Sequence, residues 1–322
     1  MATALATLMS KPAVQLAGHR TPVDRLTRLE RLLGPDCPRL LMKRDDLLSF
    51  ALGGNKVRKL QMIAAEASSA GADTLITCGA VQSNHARVTA ATGAVLGWRV
   101  VLVLSGTPPE TPVGNVRHDR LFGAELRFVT HRIERDEAMD VAAREVRSAG
   151  GTPFVIPLGG STPTGAMGMA RGVAELGLEG VKPDVIVHAS SSAGTQAGLT
   201  VGCALMGNGA RVVGMSVDEP ANVLAANVED LVNRMATALG GRAATLSGPH
   251  PVEVDDTQVG GGYGVPTPAS MEAATLMART EGIVLDDVYE SKAMAGVIAR
   301  IRSGRFTREQ TVLFWHTGGL IG

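Results

Sequence analysis

The stretch "DTLITCGAVQSNHAR" (73–87) decides how the rest of the chain is read. Its first half is a short apolar run with β-branched residues, ended by a glycine, which reads as a strand. Its second half, Gln82, Ser83, Asn84 and His85, places four neutral hydrogen-bonding side chains at a strand-to-helix corner, with Ser83 or Asn84 able to cap the helix. The same alternation recurs outward along the chain. Strands are predicted at "RVVLVLS" (99–105), "ELRFVT" (125–130), "PFVIP" (153–157), "DVIVHAS" (184–190), "RVVGMSV" (211–217) and "TVLFWH" (311–316), separated by Ala-rich segments of helical period. Uninterrupted apolar strands between helices imply a parallel sheet covered on both faces, so the class is α/β. Ligands bind such sheets at the carboxyl ends of strands, where the 82–85 corner lies. Those side chains suit a carboxylate or phenolate, and a plain capped helix start is the competing reading.

Composition narrows the partners. The 322 residues carry 31 basic and 31 acidic side chains with no long run of either sign, which gives no support to nucleic acid or an anionic membrane as partner. Cys37, Cys78 and Cys203 are far apart and lack metal-ligand spacing, so neither a disulfide framework nor a metal site is expected. A reducing, cytoplasmic setting and a small-molecule substrate follow as expectations. No apolar run approaches the roughly 20 residues that cross a bilayer, and "MATALATLM" lacks the basic start of a secretory signal. The segment "PLGGSTPTG" (157–165) can mark a passage between domains, and "VGGGYGVPTP" (259–268) reads as a long functional loop.

Two further stretches look chemical. In "LGGNKVRKL" (52–60), two glycines and Asn55 precede a helix start at Lys56, with Lys59 three residues on. The positive end of the helix dipole and neighbouring cations both disfavour protonation of Lys56, as a nucleophilic amine requires. Alone, the pattern better describes a solvated helix-start lysine. In "ASSSAGTQAG" (189–198), small residues, hydroxyls and free amides precede a helix, as a phosphate requires. Neither GxGxxG nor GxxxxGK[ST] is present, and a serine-capped turn would look similar. A nucleophilic lysine, a phosphate cup and a polar corner together match the needs of pyridoxal 5'-phosphate.

The stretches "KRDDLLSFALGGNKVRKL" (43–60), "GAVQSNHAR" (79–87), "SSSAGTQAGL" (191–199), "GYGVP" (262–266), "VYESKAMAG" (288–296) and "HTGG" (316–319) resemble the 1-aminocyclopropane-1-carboxylate deaminase and D-cysteine desulfhydrase family of pyridoxal-phosphate enzymes. The resemblance runs from about residue 20 to the end. It implies fold type II: two open, twisted, mostly parallel sheets flanked by helices, and a smaller domain (56–162) inserted in a larger one (1–55 and 163–322). It implies a homodimer with the cofactor in the cleft. Lys56 would hold the cofactor covalently, Ser191, Ser192, Ala193, Gly194 and Thr195 its phosphate with Lys59 as a cation on that side, and Asn84 its ring oxygen. Glu290 or Thr317 would meet the ring nitrogen. Ser83, Asn84, His85, Tyr263 and Tyr289 would face the substrate, with Ser83 and Tyr289 beside Lys56 in catalysis. Tyr263 and Tyr289 are the chain's two tyrosines, and both fall in motifs; a phenol there, its pKa lowered by neighbouring cations, would donate or accept a proton.

The same resemblance implies elimination of a β-substituent from cysteine or a close analogue, D-cysteine first and cysteate next. His85 and Thr317 match the desulfhydrases, whereas Glu290 matches the deaminases, so the cyclopropane deaminase stands as the alternative. A non-catalytic amino-acid-binding protein on the same fold is the alternative of another class. Asp287, Thr162 and Thr267 depart from the usual motif residues, with threonine replacing asparagine at the last two.

Overall fold

The computed structural model describes residues 2–18, 20–242, 246 and 248–319. The chain opens with helix α1 (Ala2–Ser10), strand β1 (Val23–Arg25), helix α2 (Thr27–Leu33) and strand β2 (Arg39–Arg44). Helices and strands then alternate: α3 (Asn55–Ser69), β3 (Thr74–Ala80), α4 (Asn84–Leu96), β4 (Arg99–Ser105), α5 (Gly114–Leu121), β5 (Glu125–Val129), α6 (Arg135–Ser148) and β6 (Pro153–Ile156). The remainder contains α7 (Pro163–Leu178), β7 (Val185–Ser190), α8 (Gly194–Leu205), β8 (Arg211–Ser216), α9 (Ala221–Ala238) and β9 (Glu253–Asp255), followed by α10 (Pro268–Glu281), α11 (Glu290–Arg302) and β10 (Thr311–His316). Each strand expected from sequence is present, its ends within a residue of expectation.

Two sheets form. The first has six strands in the order β1-β2-β10-β7-β8-β9, parallel except for β1 against β2. The second has four parallel strands in the order β5-β4-β3-β6, all from the stretch between Thr74 and Ile156. Strands β3 and β7 are buried along nearly their whole length, as expected of apolar strands covered on both faces.

Helices α3, α7 and α8 pack closely because glycines face their neighbours. A Cβ on Gly168 would sit 2.1 Å from the Arg58 carbonyl oxygen, and one on Gly198 would sit 2.2 Å from that of Ala166. Helix starts follow local capping rules: Thr162 accepts from Gly165 N–H and Thr267 from Ser270 N–H, both at 3.0 Å. Threonine at these two motif positions therefore serves as a cap.

Sequence reading missed β1, β2 and β9. In β2 the interruption is Lys43, whose side chain is fully buried, with Glu175 of α7 only 3.0 Å from its amine. Beside it, Arg58 holds both oxygens of Asp45 at 2.7 and 2.8 Å and reaches Glu175 at 2.6 Å. Trp315 and Thr21 also donate to Asp45, at 2.7 and 2.9 Å. Burial opposes ionisation of Asp45, but Arg58 outweighs it and holds the carboxyl below its ordinary value.

This network ties β10, α3 and α7 to the loop after β2, and removing one partner leaves a buried charge unpaired. Asp45→Ala is expected to lower the unfolding free energy by about 3–5 kcal/mol in urea titrations. A loss under about 1 kcal/mol, the range of exposed pairs, would contradict this. The folded Asp45 binds its proton more weakly than an unfolded aspartate. Its contribution is therefore complete above about pH 3.9 and is lost as pH falls through the lower folded value. The variant should thus lose less stability than the wild type on acidification.

Candidate active site

A cleft of about 560 Å³ opens between the two sheets. Lys56 enters it from the first turn of α3, Ser83, Asn84 and His85 from the start of α4, and Ser191, Ser192, Ala193 and Thr195 from the β7–α8 turn. Tyr263, Tyr289 and Thr317 complete the inner wall, so these sequence-predicted residues meet in one place. Lys59, Gly194 and Glu290 lie immediately behind that wall.

Lys56 donates to Asn55 Oδ1 at 3.0 Å, and Asn55 Nδ2 donates to Thr195 at 2.8 Å. Burial pushes the Lys56 ammonium down to about 8; Glu290 opposes the shift and Arg87 adds to it. At pH 7.5 about a quarter of such a lysine is neutral amine, against about a thousandth at its ordinary value.

The corner is oriented by its neighbours. Arg87 has only donors, so Asn84 must turn its carbonyl oxygen to it; that bond is 2.7 Å, and Asn115 donates to the same oxygen at 3.0 Å. The Asn84 amide N–H₂ is thereby directed away, as a donor. Thr77 donates its hydroxyl hydrogen to Ile156 O at 2.8 Å, so His85 Nε2, 2.9 Å from the same hydroxyl, supplies the other hydrogen. Among the described residues, His85 Nδ1 is left as a buried acceptor without a partner. Burial, with Lys56 and Lys59 nearby, holds His85 neutral. Ser83 caps α4 by accepting Ala86 N–H at 3.2 Å.

At the β7–α8 turn Ala193 takes φ 65° just before the helix N-terminus, and the Gly194 N–H donates to Ser192 O at 2.7 Å and to Ser161 Oγ at 3.3 Å. Lys59 is completely buried under this turn and donates to Gly159 O at 3.1 Å. A Cβ on Gly194 would lie 2.8 Å from its amine, and one on Gly159 would lie 2.2 Å from Ser192 Oγ. Burial, then Lys56, hold Lys59 far below the ordinary lysine value. Ser191 turns its hydroxyl to Asp218 at 2.9 Å.

On the opposite wall the hydroxyls of Tyr263 and Tyr289 are 2.6 Å apart. The sequence suggests that cations lower their pKa; the structure reverses this. Burial, then Tyr263, drive the Tyr289 phenol well above its ordinary value, so it keeps its proton. Thr317 donates to Glu290 at 2.5 Å, and the other Glu290 oxygen is 3.1 Å from His316 Nδ1.

Three residues without a role in the sequence reading shape this wall. Asp286 accepts the N–H groups of Val288 and Tyr289 at 3.0 and 2.8 Å, and burial, then Glu290, push its carboxyl up to about 7. Lys292 donates to Val259 O and Gly262 O, both at 2.7 Å, holding the Tyr263 loop. His316 backs Glu290. An acidic residue just before a helix was the available signal for Asp286; nothing local marks Lys292 or His316.

A family described as pyridoxal-phosphate-dependent enzymes matches residues 14–318. This chain belongs to that family. It is 39% identical over 316 residues to a D-cysteine desulfhydrase of Salmonella choleraesuis (strain SC-B67), covering 96% of this chain and 94% of the relative. A solved 1-aminocyclopropane-1-carboxylate deaminase homologue superposes with TM-score 0.91 at 35% identity, covering 99% of this chain and 95% of the other. The processed form of a threonine deaminase from Solanum lycopersicum superposes with TM-score 0.69 at 15% identity over 99% of this chain and 84% of that one, a likeness of fold.

The cofactor is pyridoxal phosphate, and the cleft residues fit it. Lys56 offers a partly neutral amine, Asn84 an amide donor turned from Arg87, and the Ser192–Thr195 turn two hydroxyls on the cleft with the Lys59 amine close behind Gly194. Lys59 below that turn would regain its proton beside a phosphate.

Cofactor capture by cofactor-free protein should rise with pH through a midpoint near 8, set by Lys56. Glu290→Gln should move the midpoint lower, because the carboxylate favours the ammonium. Absorbance stopped-flow measures both; a midpoint at the ordinary lysine value would exclude the buried-amine account.

Proposed function

We propose that this chain is a lyase that eliminates the β-substituent of cysteine or a close analogue, D-cysteine first and cysteate next, giving pyruvate and ammonia. What supports elimination over opening of a cyclopropane ring is the order of groups on the inner wall. Thr317 faces the cleft, and Glu290 stands behind it, bonded through the threonine hydroxyl. A hydroxyl at the ring nitrogen suits substrates with an α-proton and a leaving group, whereas ring opening needs a stronger sink. The D-cysteine desulfhydrase relative, similar along nearly the whole chain, supports the same reading.

Bound pyridoxal phosphate supplies the electron sink. Lys56 would hold it covalently and, once its amine is free, take the α-proton; an amine with pKa about 8 suits both tasks. The Ser83–His85 helix start receives the substrate carboxylate, aided by the helix dipole. Tyr289 keeps its proton and, paired with Tyr263, donates it toward the departing group. The bond from Cβ to sulfur breaks with its electron pair on sulfur, and water converts the remaining enamine to pyruvate and ammonia. Ser192–Thr195 and Lys59 would hold the phosphate, Asn84 would serve the ring oxygen and Thr317 the ring nitrogen.

We propose further that residues 56–162 act as a small domain on a larger one (1–55 and 163–322), and that the protein is a cytoplasmic homodimer. Three unpaired cysteines fit a reducing compartment. Among the described residues no helix is long and apolar enough to cross a membrane.

Incubation with D-cysteine, L-cysteine, L-cysteate and the cyclopropane acid is expected to give pyruvate from the first, with 2-oxobutyrate from the last absent or minor. Turnover of the cyclopropane acid alone would install the deaminase. Lys56→Ala should abolish both turnover and the visible band of the lysine-bound cofactor; a band with no turnover of any amino acid in the wild type would favour a binding protein. Tyr289→Phe is expected to lower kcat by about 10²–10⁴-fold, the usual share of a positioned acid.

A further inference from the structure

The backbone that leads into Lys56 is strained. Ala51, Leu52, Gly53 and Gly54 take φ values of 48°, 66°, 76° and 98°, four left-handed residues in succession. Glycine adopts this region freely, but alanine and leucine do so only where their surroundings impose it. The Leu52 side chain is 53% exposed, so core packing does not constrain that residue, whereas Ala51 rests against the edge of the core. Larger residues cannot replace the glycines, because a Cβ would lie 2.3 Å from Asp46 O at Gly53 and 2.8 Å from Thr317 O at Gly54.

What grips the loop is Arg87. Its side chain is buried on α4, where Nε donates to Ala51 O at 2.9 Å and one terminal nitrogen approaches Gly53 O at 3.4 Å. The other terminal nitrogen donates to Asn84 Oδ1 at 2.7 Å and Asn115 Oδ1 at 2.8 Å. Among the described residues this guanidinium forms no ion pair within 4.0 Å; Asp119 is the carboxylate whose charge it feels. A buried cation spent on neutral oxygens is costly to keep, and its rigid fork is what a flexible ammonium cannot reproduce.

We propose that Arg87 is a positioning residue: one guanidinium clamps the left-handed loop that delivers Lys56 and fixes the Asn84 amide, holding the two at a single mutual spacing. The proposal rests on the reading above, in which both residues hold the cofactor. The groups facing Lys56 besides Arg87 are Glu290, Asp286, Lys59, His85 and His188, and none of them bonds to the loop carbonyls.

The test compares holoenzyme carrying Arg87→Lys or Arg87→Gln, each with the native loop and with Ala51→Gly/Leu52→Gly, which removes the strain the clamp opposes. With the native loop, Arg87→Lys is expected to lower kcat by about tenfold or more while KM changes less than roughly threefold, the signature of lost orientation. The visible circular dichroism of the bound cofactor should fall with it, and the glycine pair should restore a large part of both. A kcat and dichroism close to wild type in the Arg87 variants overturns the proposal, as does a loss that the glycine pair leaves unchanged. Arg87 variants that fail to fold in both loop backgrounds also overturn it, because the residue is then a structural support only. A wild-type protein without the visible band would instead sink the cofactor assignment of Lys56.

Discussion

The amide of Asn55 donates to the carbonyl of Thr317 at 2.8 Å, and the amide of Gly54 donates to Asp45 O at the same distance. These two bonds stitch the start of α3 to the ends of β10 and β2, so the helix that carries Lys56 begins between the two strands. The approach is so close that Gly54 has no room for a side chain. A lysine one residue further on is thereby carried to the mouth between the sheets and desolvated there. Burial, more than any neighbouring charge, makes its amine available near neutral pH.

The inner wall balances this amine from both sides. Glu290 favours the ammonium and Arg87 disfavours it, and both charges are buried, which strengthens their effect on a nearby group. Glu290 is in turn engaged by Thr317 and faces His316. Opposite, desolvation keeps the tyrosine pair protonated. One side of the cleft therefore holds a basic amine and the other a weak acid, the separation that acid–base chemistry on a small substrate uses.

Much of this was legible in the chain. Short apolar runs followed by small and polar residues marked the main strands and both ligand-facing turns, since strand burial and helix capping are local properties. Strand β2 escaped because Lys43 breaks its apolar run, and Glu175 and Glu179, far along the chain, together with Thr21 O, make that lysine tolerable in the core. Lys59, expected as a cation on the phosphate side, lies under the Gly194 turn and touches no solvent, a depth its local sequence does not reveal. The shift of Tyr289 was misjudged in sign for the same reason, because the depth of a side chain is set by what packs over it.

The sequence alone determined the α/β class, the order of motifs along the chain, the small-residue cup and the lysine at its helix start. These follow from side-chain period, turn chemistry and the size of glycine, which act over a few residues. Only the tertiary structure decided that Thr317 faces the cleft with Glu290 behind it, that the two tyrosine hydroxyls meet, and that Arg87 spans the lysine loop and Asn84. Apart from Arg87 with Asn84, those relations join residues 26 to 36 positions apart, and they exist only once the sheets are packed and water is removed between them.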